Sequence, residues 1–121
     1  MKIEMSYDFM GSHILSDFYE IGREIKAEAL ISIIRESCVR NSITILNTGI
    51  HEFENGGFTL FFLLAESHIS VHFYIETQTA FIDIFTCGQV DPMPVFNDLI
   101  QYCMPAREKT QCIERGKHNA R

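Results

Sequence analysis

At 121 residues the chain is long enough for one domain with a real core, and short enough that a partner surface is expected. Hydrophobic residues make up 46% and charged residues 21%, the proportions of an ordinary globular domain, and Phe and Tyr carry the aromatic packing because Trp is absent. A formal net charge of −6 without a basic stripe argues against a nucleic-acid binder that displaces counterions from phosphates, and suits a small cationic substrate.

Cys38, Cys87, Cys103 and Cys112 show no Cys-x-x-Cys spacing, which weakens zinc and dithiol readings and makes a reduced, cytoplasmic setting the expectation. The Met1–Met10 segment lacks the apolar core of a signal peptide, and Phe58–Leu64 is too short to span a bilayer as a helix. No membrane partner is expected.

Residues 1–10 carry no period and read as a lead-in or edge segment. His13–Tyr19 reads as a first strand, broken by Gly22. Arg23–Arg40 reads as the first helix, with Ile25, Ala29, Leu30, Ile33, Ile34 and Val39 near one face, ended by Asn41 and Ser42. Ser42–Phe53, rich in β-branched residues, is the second strand. Asn55-Gly56-Gly57 is a turn signal that returns Phe58–Leu64 antiparallel as the third.

A fourth strand ends at Phe73 and Tyr74, and Thr77-Gln78 turns it into a fifth, Ala80–Thr86. Asp91-Pro92 opens a helix over Met93–Met104 that Pro105 stops. Lys109–Glu114 is predicted as a short last strand, with Arg115–Arg121 a frayed tail.

Strand, helix, four strands, helix, strand, with no linker or repeat, predicts one domain over residues 1–121. Its class is α+β: a two-layer sandwich of a mostly antiparallel sheet with two helices on one face. Strand three puts Phe58, Leu60, Phe62 and Leu64 on one side and Thr59, Phe61 and Leu63 on the other. Two helices cover one face only, so a second copy is expected on the other, giving a homodimer in a four-layer αββα arrangement.

The polar stretch Glu66-Ser67-His68 between two apolar strands is costly unless each group finds a partner. No Gly-x-Ser-x-Gly elbow supports a hydrolase. Strict alternation puts His68, Ser70 and His72 on one face, so Ser67 lies across the sheet from His72, and cooperation between them needs a local break at Glu66-Ser67. His51, His68, His72 and Cys87 offer ligand atoms, but their spacing matches no zinc pattern. On these residues alone, structural histidines are the simpler account. Cys87 reads alone as a small hydrophobe, Glu76 as a solvated strand end and Phe53 as core, while Asp83 inside Phe81–Phe85 demands a hydrogen-bond partner.

In combination, Glu66-Ser67-His68, His72 and Phe85-Thr86-Cys87-Gly88 resemble the small bacterial and archaeal S-adenosylmethionine decarboxylases, pyruvoyl enzymes made by self-cleavage. The resemblance runs from about Gly11 to Lys117 and includes Asp17-Phe18-Tyr19, Ile50-His51-Glu52-Phe53, Asp91-Pro92 and Glu114-Arg115-Gly116. It implies cleavage between Glu66 and Ser67 into chains 1–66 and 67–121, with Ser67 becoming a covalent pyruvoyl cofactor that forms a Schiff base with substrate. Neither metal nor pyridoxal phosphate is implied.

By the same resemblance His72 is the proton acceptor in processing, Thr59 stands where the family has a processing Ser, and Cys87 is the proton donor in decarboxylation. Phe53 matches an adenine-site aromatic and Glu76 an acid associated with the ribose hydroxyls. The chain departs from the family at His72-Phe73-Tyr74-Ile75-Glu76, where the family reads His-Thr-Trp-Pro-Glu, and at Thr77-Gln78-Thr79, where it has a turn with Tyr and Gly. Three readings follow: S-adenosylmethionine decarboxylation for polyamine (spermidine) synthesis, decarboxylation of a basic amino acid such as arginine or ornithine, and an uncleaved binding or regulatory homologue.

Overall fold

The computed structural model describes residues 10–116 and arranges them as one six-stranded sheet with two helices. The elements run β1 (Gly11–Ile21), α1 (Ala27–Arg40), β2 (Ile45–Glu52), β3 (Phe58–Leu64), β4 (Ser67–Tyr74), β5 (Thr79–Cys87), α2 (Met93–Cys103) and β6 (Pro105–Arg115). The strand order is β2-β3-β4-β5-β1-β6 and every neighbouring pair is antiparallel. The α+β class with helices on one face is as the alternation predicts. The lead-in before Met10 and the tail after Gly116 lie outside the described residues.

Period-two alternation decides the core. Phe58, Leu60, Phe62 and Leu64 of β3, Ile69, Val71 and Phe73 of β4, and Ile82 and Ile84 of β5 are buried beneath the helices. Ile14 and Phe18 of β1 join them, and Phe18 meets Phe96 of α2 with ring centroids 5.8 Å apart. Each large side chain buried this way contributes about 1.5–3 kcal/mol. On the opposite face Phe61 and Leu63 are each 44% exposed, and Tyr74, Phe81 and Ile113 are open beside them. Among the described residues nothing covers that face.

Three boundaries move. α1 begins at Ala27, not Arg23: Lys26 is extended (φ −114°, ψ 140°), and the Gly22 N–H bonds the Cys103 and Met104 carbonyls, tying the connection to the end of α2. Ile25 is buried ahead of the helix, which is why it mimicked the helical period. Within α1 the buried face is Ala27, Leu30, Ile31, Ile34, Ser37 and Cys38, while Val39 is exposed.

β6 runs from Pro105 through Arg115 rather than over Lys109–Glu114, and Arg115 therefore belongs to the strand, not to a tail. It is an edge strand paired only with β1 and largely exposed, so no apolar alternation announced it, and Pro at its first position sacrifices no interior ladder bond. β2 starts at Ile45 because residues 41–44 turn the chain, with Ser42 at φ +58° and Ile43 N–H bonded to the Cys38 carbonyl. Among the described residues no helix is long and apolar enough to cross a membrane.

Burial pushes the Cys38 thiol up to about 11 and the Cys103 thiol up to about 12, from 9.0. Above pH 9 the unfolded chain sheds these protons while the folded chain keeps them, so stability held below pH 9 is lost as pH climbs toward 11 and 12. Urea unfolding followed from pH 8 to 10.5 should show this decline, and Cys103→Ala should flatten it by about 1.4 kcal/mol per pH unit. An equally steep decline in that variant would remove Cys103 as a cause.

Candidate active site

The turn from β3 to β4 lies at one end of the sheet. Ala65 N–H bonds the Thr44 carbonyl at 2.9 Å, and Thr44 N–H returns to the Glu66 carboxylate at 3.0 Å, so the turn is held by the segment before β2. The Glu66 carbonyl oxygen accepts the Cys87 N–H at 2.9 Å. The next residue, Ser67, sits at φ +149°, outside the range that a side chain with a Cβ adopts freely. Such strain costs of order 1–3 kcal/mol and persists only where neighbours impose it.

Here the neighbours are Leu64 and Thr86, which oppose Ser67 in the register. Thr86 is fully buried and its hydroxyl donates to the Val90 carbonyl at 2.7 Å, closing the bend after β5. Gly88 takes φ +61° in that bend and its N–H bonds the Met10 carbonyl. Gly11, opposite Cys87, admits no side chain: a Cβ there would lie 2.7 Å from the Phe85 ring and 2.9 Å from the Thr86 carbonyl oxygen. Glu66, Ser67 and Cys87 therefore share one end of the sheet, with the Cys87 residue exposed.

Thr59 and His72 oppose each other across β3 and β4, and share a hydrogen bond of 3.2 Å between Oγ1 and Nδ1. His51 is the partner of Thr59 on β2, and its ring meets Phe53 edge-on at 4.7 Å. Phe53 is half exposed rather than core, and lines a cavity of about 370 Å³ with Phe58, Phe73, Ile75 and Gln78. Glu76 is exposed in the turn joining β4 to β5. In that turn Gln78 adopts φ +51°, the conformation for which glycine is favoured, and its side-chain amide donates to the Ile75 carbonyl at 3.1 Å.

The two groups of residues do not meet within one chain. Ser67 and His72 lie five residues apart on β4, roughly 17 Å along the strand. The backbone break that the alternation demanded at Ser67 exists, yet it does not close that distance.

A third cluster centres on Asp83. Its Oδ1 receives His13 Nε2 at 2.5 Å and His68 Nε2 at 3.3 Å. The Arg115 guanidinium donates to His13 Nδ1 at 3.0 Å, so His13 is neutral at Nδ1 and donates its Nε2–H to Asp83. These are also the only three ligand-type side chains that come together among the described residues; the set His51, His68, His72 and Cys87 is not assembled. With Arg115 committing the His13 tautomer, the cluster is a hydrogen-bonded chain ending on a carboxylate. Sequence reasoning flagged Asp83 and missed His13, whose only signal was its place in the strand that pairs with β5.

Residues 12–116 match the family model described as S-adenosylmethionine decarboxylase. The chain is 31% identical over 113 residues to the S-adenosylmethionine decarboxylase proenzyme of Thermosipho melanesiensis, covering 91% of this chain and 87% of that protein. It is 35% identical over 102 residues to the proenzyme of the same name from Pyrobaculum islandicum, covering 81% and 82%. The crystal structure of the adenosylmethionine decarboxylase from Aquifex aeolicus shares the fold at a TM-score of 0.80 and 30% identity, over 91% of this chain and 93% of that one. Since the family match runs through the Glu66–Cys87 end, the Thr59–His72 pair and the Asp83 cluster alike, the chain belongs to the S-adenosylmethionine decarboxylase family.

Proposed function

We propose that this chain is a self-cleaving precursor whose product is a pyruvoyl-dependent S-adenosylmethionine decarboxylase, supplying the aminopropyl donor for polyamine synthesis. The observation that carries the reading is the Glu66 carbonyl, hydrogen-bonded by the Cys87 N–H beside a strained Ser67. A carbonyl held by an N–H donor is polarised for attack, and the same donor stabilises the oxyanion that attack creates. The shared name of the relatives favours this substrate over arginine or ornithine.

Ser67 Oγ attacks the Glu66 carbonyl carbon, the C–N bond breaks, and the peptide becomes an ester with a free amine at residue 67. His72 then takes the Ser67 α-proton and the ester C–O bond breaks, releasing chain 1–66 with a carboxylate at Glu66. The dehydroalanine left behind takes up water and loses ammonia, giving the ketoacyl cap on chain 67–121. That cap supplies an electron sink for carbon dioxide loss from the substrate's amine-bearing carbon. The Cys87 thiol, exposed at the same end, returns a proton to that carbon. Phe53 offers a half-exposed ring for the adenine and Glu76 a carboxylate for the ribose hydroxyls.

His72 and Thr59 of the same chain are too far from Ser67 for this role, and Phe53 and Glu76 lie beyond them at the same end, so a second copy provides all four. A two-fold axis running between two sheets, across their strands, would bring the Thr59–His72 end of one copy over the Ser67–Cys87 end of the other. The uncovered apolar side chains Phe61, Leu63, Phe81 and Ile113 support that packing, a four-layer αββα homodimer.

Intact mass should resolve chains 1–66 and 67–121, the second reducible by borohydride. Ser67→Ala should abolish both cleavage and carbon dioxide release, and a Ser67→Ala protein that still releases carbon dioxide would end the reading. Cys87→Ala should still cleave, with turnover lowered by about 10²- to 10⁴-fold; wild-type turnover would remove the thiol as proton donor. His72→Ala alone should remain intact, but co-expressed with Ser67→Ala it should be cut, because the mixed dimer holds one complete site. No cleavage in the mixture would overturn the two-copy arrangement.

A further inference from the structure

We infer that Asp83, backed by His13 and Arg115, is a positioning residue that holds His68, and through it the reactive group at residue 67, after the chain has been cut. This rests on the proposed cleavage at Glu66-Ser67. Before the cut, β4 is tied at its start by the covalent link to the β3 turn. Afterwards residue 67 is a chain terminus, and termini fray unless side chains anchor them. The first side chain able to anchor it is His68.

That side chain is held on several sides. His68 Nε2 meets Asp83 Oδ1 at 3.3 Å, its ring stacks on Phe61 at 5.8 Å, and it meets His13 edge-on at 6.1 Å. Behind it, His13 donates to the same carboxylate oxygen at 2.5 Å while Arg115, lying over Phe85, donates to His13. The chain of hydrogen bonds therefore runs from Arg115 of β6 through His13 of β1 to the accepting Asp83 carboxylate of β5, which also takes His68 of β4. The hydrogen bonds of these side chains run to one another, and the N–H that holds the Glu66 carbonyl comes from the Cys87 backbone. The anchor thus bears on the finished enzyme and not on its making.

Three variants separate these roles. His68→Phe keeps a ring on Phe61 and removes the hydrogen bond; Asp83→Leu removes the acceptor; Asp83→Asn keeps an acceptor oxygen. Each is made in the full chain and also on a Ser67→Ala background, where the strand stays covalently tied. His68→Phe and Asp83→Leu should be cleaved as fully as the parent, with kcat lowered roughly 10- to 100-fold and KM changed by less than about threefold. Amide exchange over residues 68–70 should accelerate about tenfold or more in the cut protein and stay near the parent's on the Ser67→Ala background. Asp83→Asn should recover most of the lost turnover.

Equal acceleration on both backgrounds, or cleavage falling in step with turnover in His68→Phe, would make the cluster a general support of the fold and overturn the inference. Parental kcat in His68→Phe would overturn it as well. If the parent chain itself were never cut, the proposed function would fail first; a parent that is cut and active, with indifferent variants, sinks this inference alone.

Discussion

The hydrogen bond from Cys87 N–H to the Glu66 carbonyl joins two turns that are far apart in sequence. One closes β3 onto β4, the other ends β5, and between them Ser67 is held at φ +149°. The strain at Ser67 is sustained because its neighbours on both sides are locked: Leu64 is in the core and Thr86 is fully buried with its hydroxyl spent on Val90. Loss of the Gly88 conformation or of the close approach at Gly11 would loosen the same end. The Glu66 carbonyl is thus held in place by core packing, and the N–H that holds it belongs to the exposed Cys87, the residue after Thr86 in the same strand.

The sheet's uncovered face sets the second constraint. A strand that is apolar on both sides cannot be stable against water on one of them over a large area, and β3 leaves Phe61 and Leu63 open. The same face carries His72 with Thr59 at one end and approaches the Ser67–Cys87 turn at the other. In the proposed two-copy arrangement, covering the apolar surface and completing the proposed chemistry would be one event. Separate selection for assembly and for activity is unnecessary in such a design.

Much of this was legible in the sequence. Alternation in β3 and β4, the Asn55-Gly56-Gly57 turn and the apolar period of α2 were strong local signals, and those elements fall where the pattern predicts. What was illegible depended on pairing. β6 is polar and exposed, so only its ladder with β1 defines it, and Val39 reads as core in a helix whose true inner face is rotated toward Cys38. The His13–Asp83–His68 cluster joins residues 70 and 15 apart in the chain, and only strand order brings them together. Phe53 reads as core because an aromatic at a strand end gives no hint of which way the chain turns.

The strand order has a mechanical meaning for a chain severed after Glu66. The first piece would own β1, β2 and β3, the second β4, β5 and β6, and across the sheet they read first, first, second, second, first, second. β1 is sandwiched between β5 and β6, so the two pieces are interdigitated like fingers. To part them, three separate ladders must unzip, at β3–β4, β5–β1 and β1–β6, and α1 must leave α2. The fragments of such a cut would thereby be kept as one body without a covalent tie, and the lifetime of the cut particle would be set by the unfolding rate of its sheet rather than by an affinity between subunits.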